Sequence, residues 1–129
     1  MPKIAIIEDN ANLSAGLQAK FSLLNFTCRT FNGNKTIAET LHELRQEKPD
    51  YFILDLMLPK IDGFELIKAI RQDEFLKNAK IFIFTNLSDQ DSKDRSEKLG
   101  ADYYFVKSDY VIDEFIEKIY RIIKNQSKL

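Results

Sequence analysis

The sequence is poor in the residues that build stapled scaffolds: among 129 residues it has one cysteine, one histidine and no tryptophan. A lone cysteine, Cys28, excludes an internal disulfide and fits a reducing, cytoplasmic setting. It falls in an apolar, strand-like run, which predicts a small buried side chain. Neither sign of charge is in excess. The 19 Lys and Arg against 20 Asp and Glu leave a formal net charge of −1, so no global field draws the chain to nucleic acid or anionic lipid. Apolar runs are far shorter than a membrane span. The start, Met1-Pro2-Lys3-Ile4, lacks the long apolar core and cleavage site of a secretory signal. No repeat or low-complexity tract occurs.

What is present is enough apolar material for a packed core. Apolar residues make up 44%, too many for disorder, and the length suits one domain. Five short runs read as buried parallel strands: Lys3-Ile4-Ala5-Ile6-Ile7, residues 26–31, Tyr51-Phe52-Ile53-Leu54, Lys80-Ile81-Phe82-Ile83-Phe84 and Tyr103-Tyr104-Phe105-Val106. Between them apolar residues recur at helical spacing. Leu13, Leu17, Phe21 and Leu24 mark a first helix, and Ile37, Leu41 and Leu44 a second, ended before Pro49. Phe64, Ile67 and Ile70 open a third. Ser88-Asp89-Gln90-Asp91 resembles a capping box for a fourth, very polar helix, closed by Gly100 as a left-handed cap. Ile112, Phe115, Ile119 and Ile122 mark the last. Strand and helix alternate as (βα)5, which predicts an α/β three-layer sandwich around a parallel sheet with right-handed crossovers. The polar tail from Lys124 to Leu129 is expected to fray, with no second domain after it.

The polar residues that end these runs carry the functional signal. In an open parallel sheet the carboxyl ends of the strands line one edge, where ligands bind. Glu8 and Asp9 follow the first run, Asp55 the third, Thr85 the fourth and Lys107 the fifth. Alone, Glu8-Asp9 would read as an N-cap for the first helix. With Asp55 they make three carboxylates at one cleft, which raise one another's pKa and call for a counter-ion. A hard cation completed by water and phosphate, Mg²⁺, fits that set. A carboxylate oxygen of Asp55 can attack an activated phosphoryl group. Lys107 and the Thr85 hydroxyl can then stabilise its oxygens.

Here the chain resembles the receiver domain of two-component response regulators, over nearly its whole length from Lys3 to about Ile123. The matching pieces are Glu8-Asp9, the stretch Asp55-Leu56-Met57-Leu58-Pro59-Lys60-Ile61-Asp62-Gly63, Thr85, and Gly100-Ala101-Asp102-Tyr103-Tyr104-Phe105-Val106-Lys107. The resemblance implies a flavodoxin-like sheet in the order 2-1-3-4-5, a receiver domain over residues 1–124 and a short tail over 125–129. It implies that Asp55 is the phosphoacceptor, that Asp9 and Asp55 bind Mg²⁺, and that Glu8 and the Met57 backbone carbonyl assist. It also implies a switch pair, Thr85 and Tyr104. The partners it implies are a histidine kinase or phosphotransfer protein and a downstream protein target. The chain is then a monomer or weak dimer through the face of the fourth helix, fifth strand and fifth helix. Such a chain is no enzyme beyond its own phosphorylation and dephosphorylation, and without an attached DNA-binding domain its output is expected to run through protein contact.

Three positions depart from the family pattern. Glu8 replaces an aspartate, and Asn86 replaces the small residue that usually follows the threonine. Ser108 replaces the proline that usually follows the lysine. A cis bond costs roughly 2.5–4 kcal/mol without proline, so a trans Lys107–Ser108 bond is expected, with Ser108 or Asp109 near the start of the last helix. Lys107 is still expected to reach the cleft on its flexible stem. Two other readings compete: a receiver fold that binds without being phosphorylated, and a flavin carrier or metabolic enzyme on the same fold. The latter is disfavoured because Glu8-Asp9-Asn10 would repel a flavin phosphate. His42, beside Leu41 on a helix away from the cleft, reads as an exposed helix residue rather than a phosphohistidine. Asp89 with Lys93, Asp91 with Arg95 and Asp94 with Lys98 read as i,i+4 pairs on a solvated face, or functionally as an output surface.

Overall fold

The computed structural model describes residues 2–126. Strand and helix alternate along them: β1 (Lys3–Ile7), α1 (Ala11–Leu23), β2 (Thr27–Phe31), α2 (Ile37–Glu47), β3 (Tyr51–Leu54), α3 (Gly63–Gln72), β4 (Lys80–Thr85), α4 (Gln90–Leu99), β5 (Tyr103–Val106), a 3₁₀ turn (Lys107–Asp109) and α5 (Ile112–Gln126). The strands form one parallel sheet in the order β2-β1-β3-β4-β5, as expected. Among the described residues no helix is long and apolar enough to cross a membrane.

The central strands are apolar on both faces because helices cover both faces. Ala5, Ile7, Phe52, Leu54, Ile81 and Ile83 pack with Leu44 of α2 and Leu66, Ile67 and Ile70 of α3. The alternate residues Ile4, Ile6, Ile53, Phe82 and Phe84 pack with Leu17 and Phe21 of α1 and Phe115 and Ile119 of α5. Phe115 is the aromatic centre of that second layer. It stacks on Phe84 at 3.8 Å and meets the edge of Phe105 at 5.4 Å. Burying each such ring contributes about 2–3 kcal/mol, so the two layers fix the strand ends rigidly.

Several sequence expectations shift. β2 is an edge strand that starts at Thr27, so Cys28 is half-buried rather than fully inside. Burial still pushes its thiol up to about 11. The cap of α4 lies one residue later than expected: the Asp89 carboxylate, not Ser88, accepts the Ser92 N–H at 3.0 Å. None of the three expected i,i+4 ion pairs closes on α4. Gln90 instead donates to Asp94 at 2.8 Å, and the Arg95 guanidinium stacks on Phe64 at 4.1 Å. Asp94 and Arg95 therefore have other uses than those the spacing suggested. Lys124, Asn125 and Gln126 are helical rather than frayed, because Gln126 donates to the Tyr103 hydroxyl at 3.1 Å. The rest of the expected tail, 127–129, lies outside the described residues. His42 is exposed, as read.

Arg71 of α3 ties down the edge of the sheet opposite the strand ends that concern function. Its Nε donates to the Gly100 carbonyl at 2.9 Å, and Nη1 to the carbonyls of Lys77 and Ala79 at 2.8 and 2.6 Å. Nη2 meets Asp102 at 2.8 Å, and the same Asp102 oxygen accepts the Ile81 N–H. Gly100 ends α4 at φ +114°, and an added Cβ would stand 2.7 Å from Arg71, so only glycine serves there. Arg71→Met would leave three carbonyls and a carboxylate without their donor. It is expected to lower stability by about 3 kcal/mol in urea unfolding, whereas Lys93→Met on the exposed face of α4 should stay within about 0.5 kcal/mol.

Candidate functional site

The sheet delivers its acids to one edge through its own hydrogen bonds. The Glu8 N–H donates to the Phe31 carbonyl at 2.9 Å and the Asp55 N–H to the Ile7 carbonyl at 3.0 Å, so both residues continue the ladder one step past the strands. Asn10 then caps α1, its side chain accepting the Leu13 N–H at 3.0 Å. The acid pair is thereby free of the capping role it would have had alone.

The loop after Asp55 is built with equal economy. Asp55 Oδ1 accepts the Met57 N–H at 3.1 Å. Met57 bridges to Asp62, and Asp62 caps α3 through the Phe64 N–H at 2.9 Å. Gly63 donates to the Leu56 carbonyl at 3.2 Å, and a Cβ on it would run into the Leu56 backbone. That close approach is the physical content of the Asp62-Gly63 pair read in the sequence.

Lys107 closes the site. Its Nζ lies 2.8 Å from Asp55 Oδ2 and 2.6 Å from Glu8 Oε1, while Glu8 Oε2 accepts the Asn10 N–H at 2.9 Å. The two acids are buried and Lys107 is 15% exposed. Burial opposes the ammonium charge, but the hydrogen bonds to Asp55 and Glu8 outweigh it and hold the Lys107 pKa above its usual value. Burial pushes the Glu8 carboxyl up, against the pull of Lys107 and Asn10. Among the described residues no peptide bond is cis, so Lys107–Ser108 is trans as expected. Ser108 and Asp109 sit in the 3₁₀ turn, however, and α5 opens only at Ile112. Glu114 accepts the Val111 N–H at 3.3 Å and so sets the later start.

Glu8, Asp9 and Asp55 each offer a carboxylate oxygen within 4.8 Å of the others. They line a cleft of about 680 Å³ together with Met57, Asn86 and Lys107. This all-oxygen donor set, with Asp9 exposed at its mouth, suits a hard cation that keeps several waters, such as Mg²⁺. Thr85 does not line the cleft. It is fully buried at the end of β4, and its hydroxyl accepts the Leu87 N–H at 3.4 Å. Asn86 holds the wall in its place. Tyr104 donates its hydroxyl to the Leu87 carbonyl at 2.7 Å, so one peptide segment engages both residues. Burial, then Asp89 and Asp55, push the Tyr104 phenol up to about 12, so it stays a donor.

The residue Arg95 was missed as a cleft residue. Its i,i+4 spacing pairs it with Asp91, whereas it lines the cleft from α4. Its helical distance from Phe64 could not be read from spacing within one helix.

Comparison with known proteins agrees with this geometry. The family model of the response regulator receiver domain matches residues 4–120. The response regulator ArlR of Staphylococcus aureus is 34% identical over 127 residues, which are 98% of this chain and 54% of that protein. A probable transcriptional regulator, ycf27, of Guillardia theta is 33% identical over 105 residues, 81% of this chain and 39% of that protein. The response regulator DrrB of Thermotoga maritima, an OmpR/PhoB homologue, superposes with a TM-score of 0.81 at 25% identity, over 98% of this chain and 54% of that one. The chain thus spans about half or less of the length of these relatives. It belongs to the response regulator receiver domain family, with the CheY-like fold of that family.

Both Glu8 oxygens are engaged, whereas among the described residues the Asp9 carboxylate, exposed at the cleft mouth, has no hydrogen bond or ion pair, so Asp9 is the more available ligand. A Mg²⁺ titration followed by NMR is expected to show Asp9→Ala weakening affinity by at least about tenfold, the scale at which even outer-shell partners matter, and Glu8→Ala weakening it less. The reverse order would mean that Lys107 gives up Glu8 before the cation binds.

Proposed function

We propose that this receiver domain is a phosphorylation switch in which Asp55 accepts a phosphoryl group from a histidine kinase or phosphotransfer protein. The observation that carries the reading is the pairing of Asp55 with Lys107 at 2.8 Å, beside Glu8 and Asp9, in a chain of this family. An oxygen of Asp55 forms a bond to phosphorus as the bond from phosphorus to the donor's nitrogen or oxygen breaks. The electron pair leaves with the donor, and imidazole takes up a proton. Mg²⁺, held by Asp9, Asp55, the Met57 carbonyl and in part Glu8, would supply charge compensation for the phosphoryl oxygens. Lys107 offers one phosphoryl oxygen an ammonium donor. Water attacking phosphorus returns the Asp55 carboxylate and phosphate, so the chain acts chemically only on itself.

Thr85 and Tyr104 form the relay in this reading. In the present state Leu87 occupies both hydroxyls. Turning Thr85 toward a phosphoryl group releases the Leu87 N–H and biases the segment that Tyr104 grips. This is a population shift between two states, and the phosphoryl group supplies the difference in affinity. The output face is α4, β5 and α5, which meets a protein target or a second copy rather than nucleic acid. The near-neutral charge supports that choice.

Acetyl phosphate with Mg²⁺ should label Asp55 alone, with Asp55→Asn folded and unlabelled; label persisting in that variant would refute the assignment. Thr85→Ala should still take label but lose the NMR response at Tyr104.

A further inference from the structure

The cleft contains a second cation that the reaction above does not use. Arg95 reaches it from α4, on a different wall from Lys107 of the β5 end. Its guanidinium lies 4.1 Å from the centre of the Phe64 ring. Phe64 is itself 9% exposed and fixed by the Asp62 cap at the start of α3. Stacking holds the guanidinium plane while leaving its N–H edge free, unlike an ion pair, which would consume that edge. No carboxylate does consume it: among the described residues the Arg95 side chain forms neither an ion pair nor a hydrogen bond, although Asp91 stands one turn away.

The charge balance gives this free edge a purpose. Glu8, Asp9, Asp55 and Asp62 against Lys107 and Arg95 leave the cleft wall with a formal charge of −2. A divalent cation brings it only to zero. Lys107 starts out bonded to Glu8 and Asp55 and meets a phosphoryl oxygen only at Asp55, where the transfer step uses it. Besides that metal, an incoming dianionic phosphoryl group therefore meets one side-chain cation of the cleft wall without a carboxylate partner, the planar fork of Arg95, which suits phosphate oxygens.

We propose that Arg95 is a donor-binding residue: it receives the phosphoryl group of the incoming donor at the cleft mouth before transfer to Asp55. The ligand is a phosphoryl dianion on a leaving group, either the phosphoimidazole of a partner histidine or a small acyl phosphate. The proposal rests on the reading of Asp55 as phosphoacceptor. Arg95 forms no hydrogen bond or ion pair with Asp55, whose Oδ2 is held by Lys107, so its effect falls on binding more than on the transfer step.

The test measures phosphorylation rate against donor concentration, at saturating Mg²⁺, for the parent, Arg95→Gln and Arg95→Lys, with acetyl phosphate and with phosphoimidazole. Arg95→Gln is expected to raise the half-saturating concentration by about tenfold, with a smaller change in plateau rate. Arg95→Lys should recover part of the loss, and the Arg95 effect should shrink with added salt. A rise with both donors assigns recognition of the phosphoryl group itself. A rise with one alone supports the proposal for that source. Unchanged half-saturation with both donors, or a fall in plateau rate alone, overturns it. If the parent takes no label on Asp55, the phosphoacceptor reading fails first; if the parent is labelled and Arg95→Gln saturates like it, only the Arg95 proposal fails.

Discussion

The crowding of carboxylates at one sheet edge is the constraint on which the site depends. Glu8 and Asp55 are buried, and Asp9 lies within 4.8 Å of them. Buried like charges repel and cannot be left uncompensated. Lys107 supplies the compensation within the chain by bonding Glu8 and Asp55 together. The arrangement is incomplete: one ammonium cannot neutralise three carboxylates, and an all-oxygen cluster of that charge suits a divalent cation.

The remainder of the fold makes that crowding tolerable. The Glu8 and Asp55 backbones extend the ladder of β1 and β3, and two apolar layers hold those strands rigid. The opposite edge is fastened by Arg71, which joins the end of α3, the end of α4 and the start of β5. The start of α4 has no such anchor. It carries Leu87 just ahead of it, between Thr85 and Tyr104, and only Ser96 of its ten residues is buried. A helix fixed at one end and lightly packed along its length is suited to move at the other.

The sheet order, the helices and the convergence of Glu8, Asp9, Asp55 and Lys107 were legible because strand-end positions are a matter of sequence period and topology. What was not legible depended on local competition. Thr85 was read as a cleft hydroxyl, but its side chain finds the Leu87 N–H and stays buried. Arg95 was read as paired along its helix, but an aromatic ring on another helix draws it away. Cys28 was read as a core residue because composition does not say which strand lies at the edge. The 3₁₀ turn after Lys107 depends on Glu114 reaching back to Val111, a cap that no family pattern supplied.

Thermal and urea unfolding of Lys107→Met, with and without Mg²⁺, tests the central claim most directly. Removing the ammonium leaves two buried carboxylates without a cation, which is expected to lower stability by about 3 kcal/mol in chelator. Mg²⁺ should restore most of that loss, and should stabilise the variant more than the parent because Lys107 no longer competes for Glu8 and Asp55. A variant that unfolds with the parent in chelator, and responds to Mg²⁺ no more than the parent does, would show that charge crowding at this edge does not govern the site.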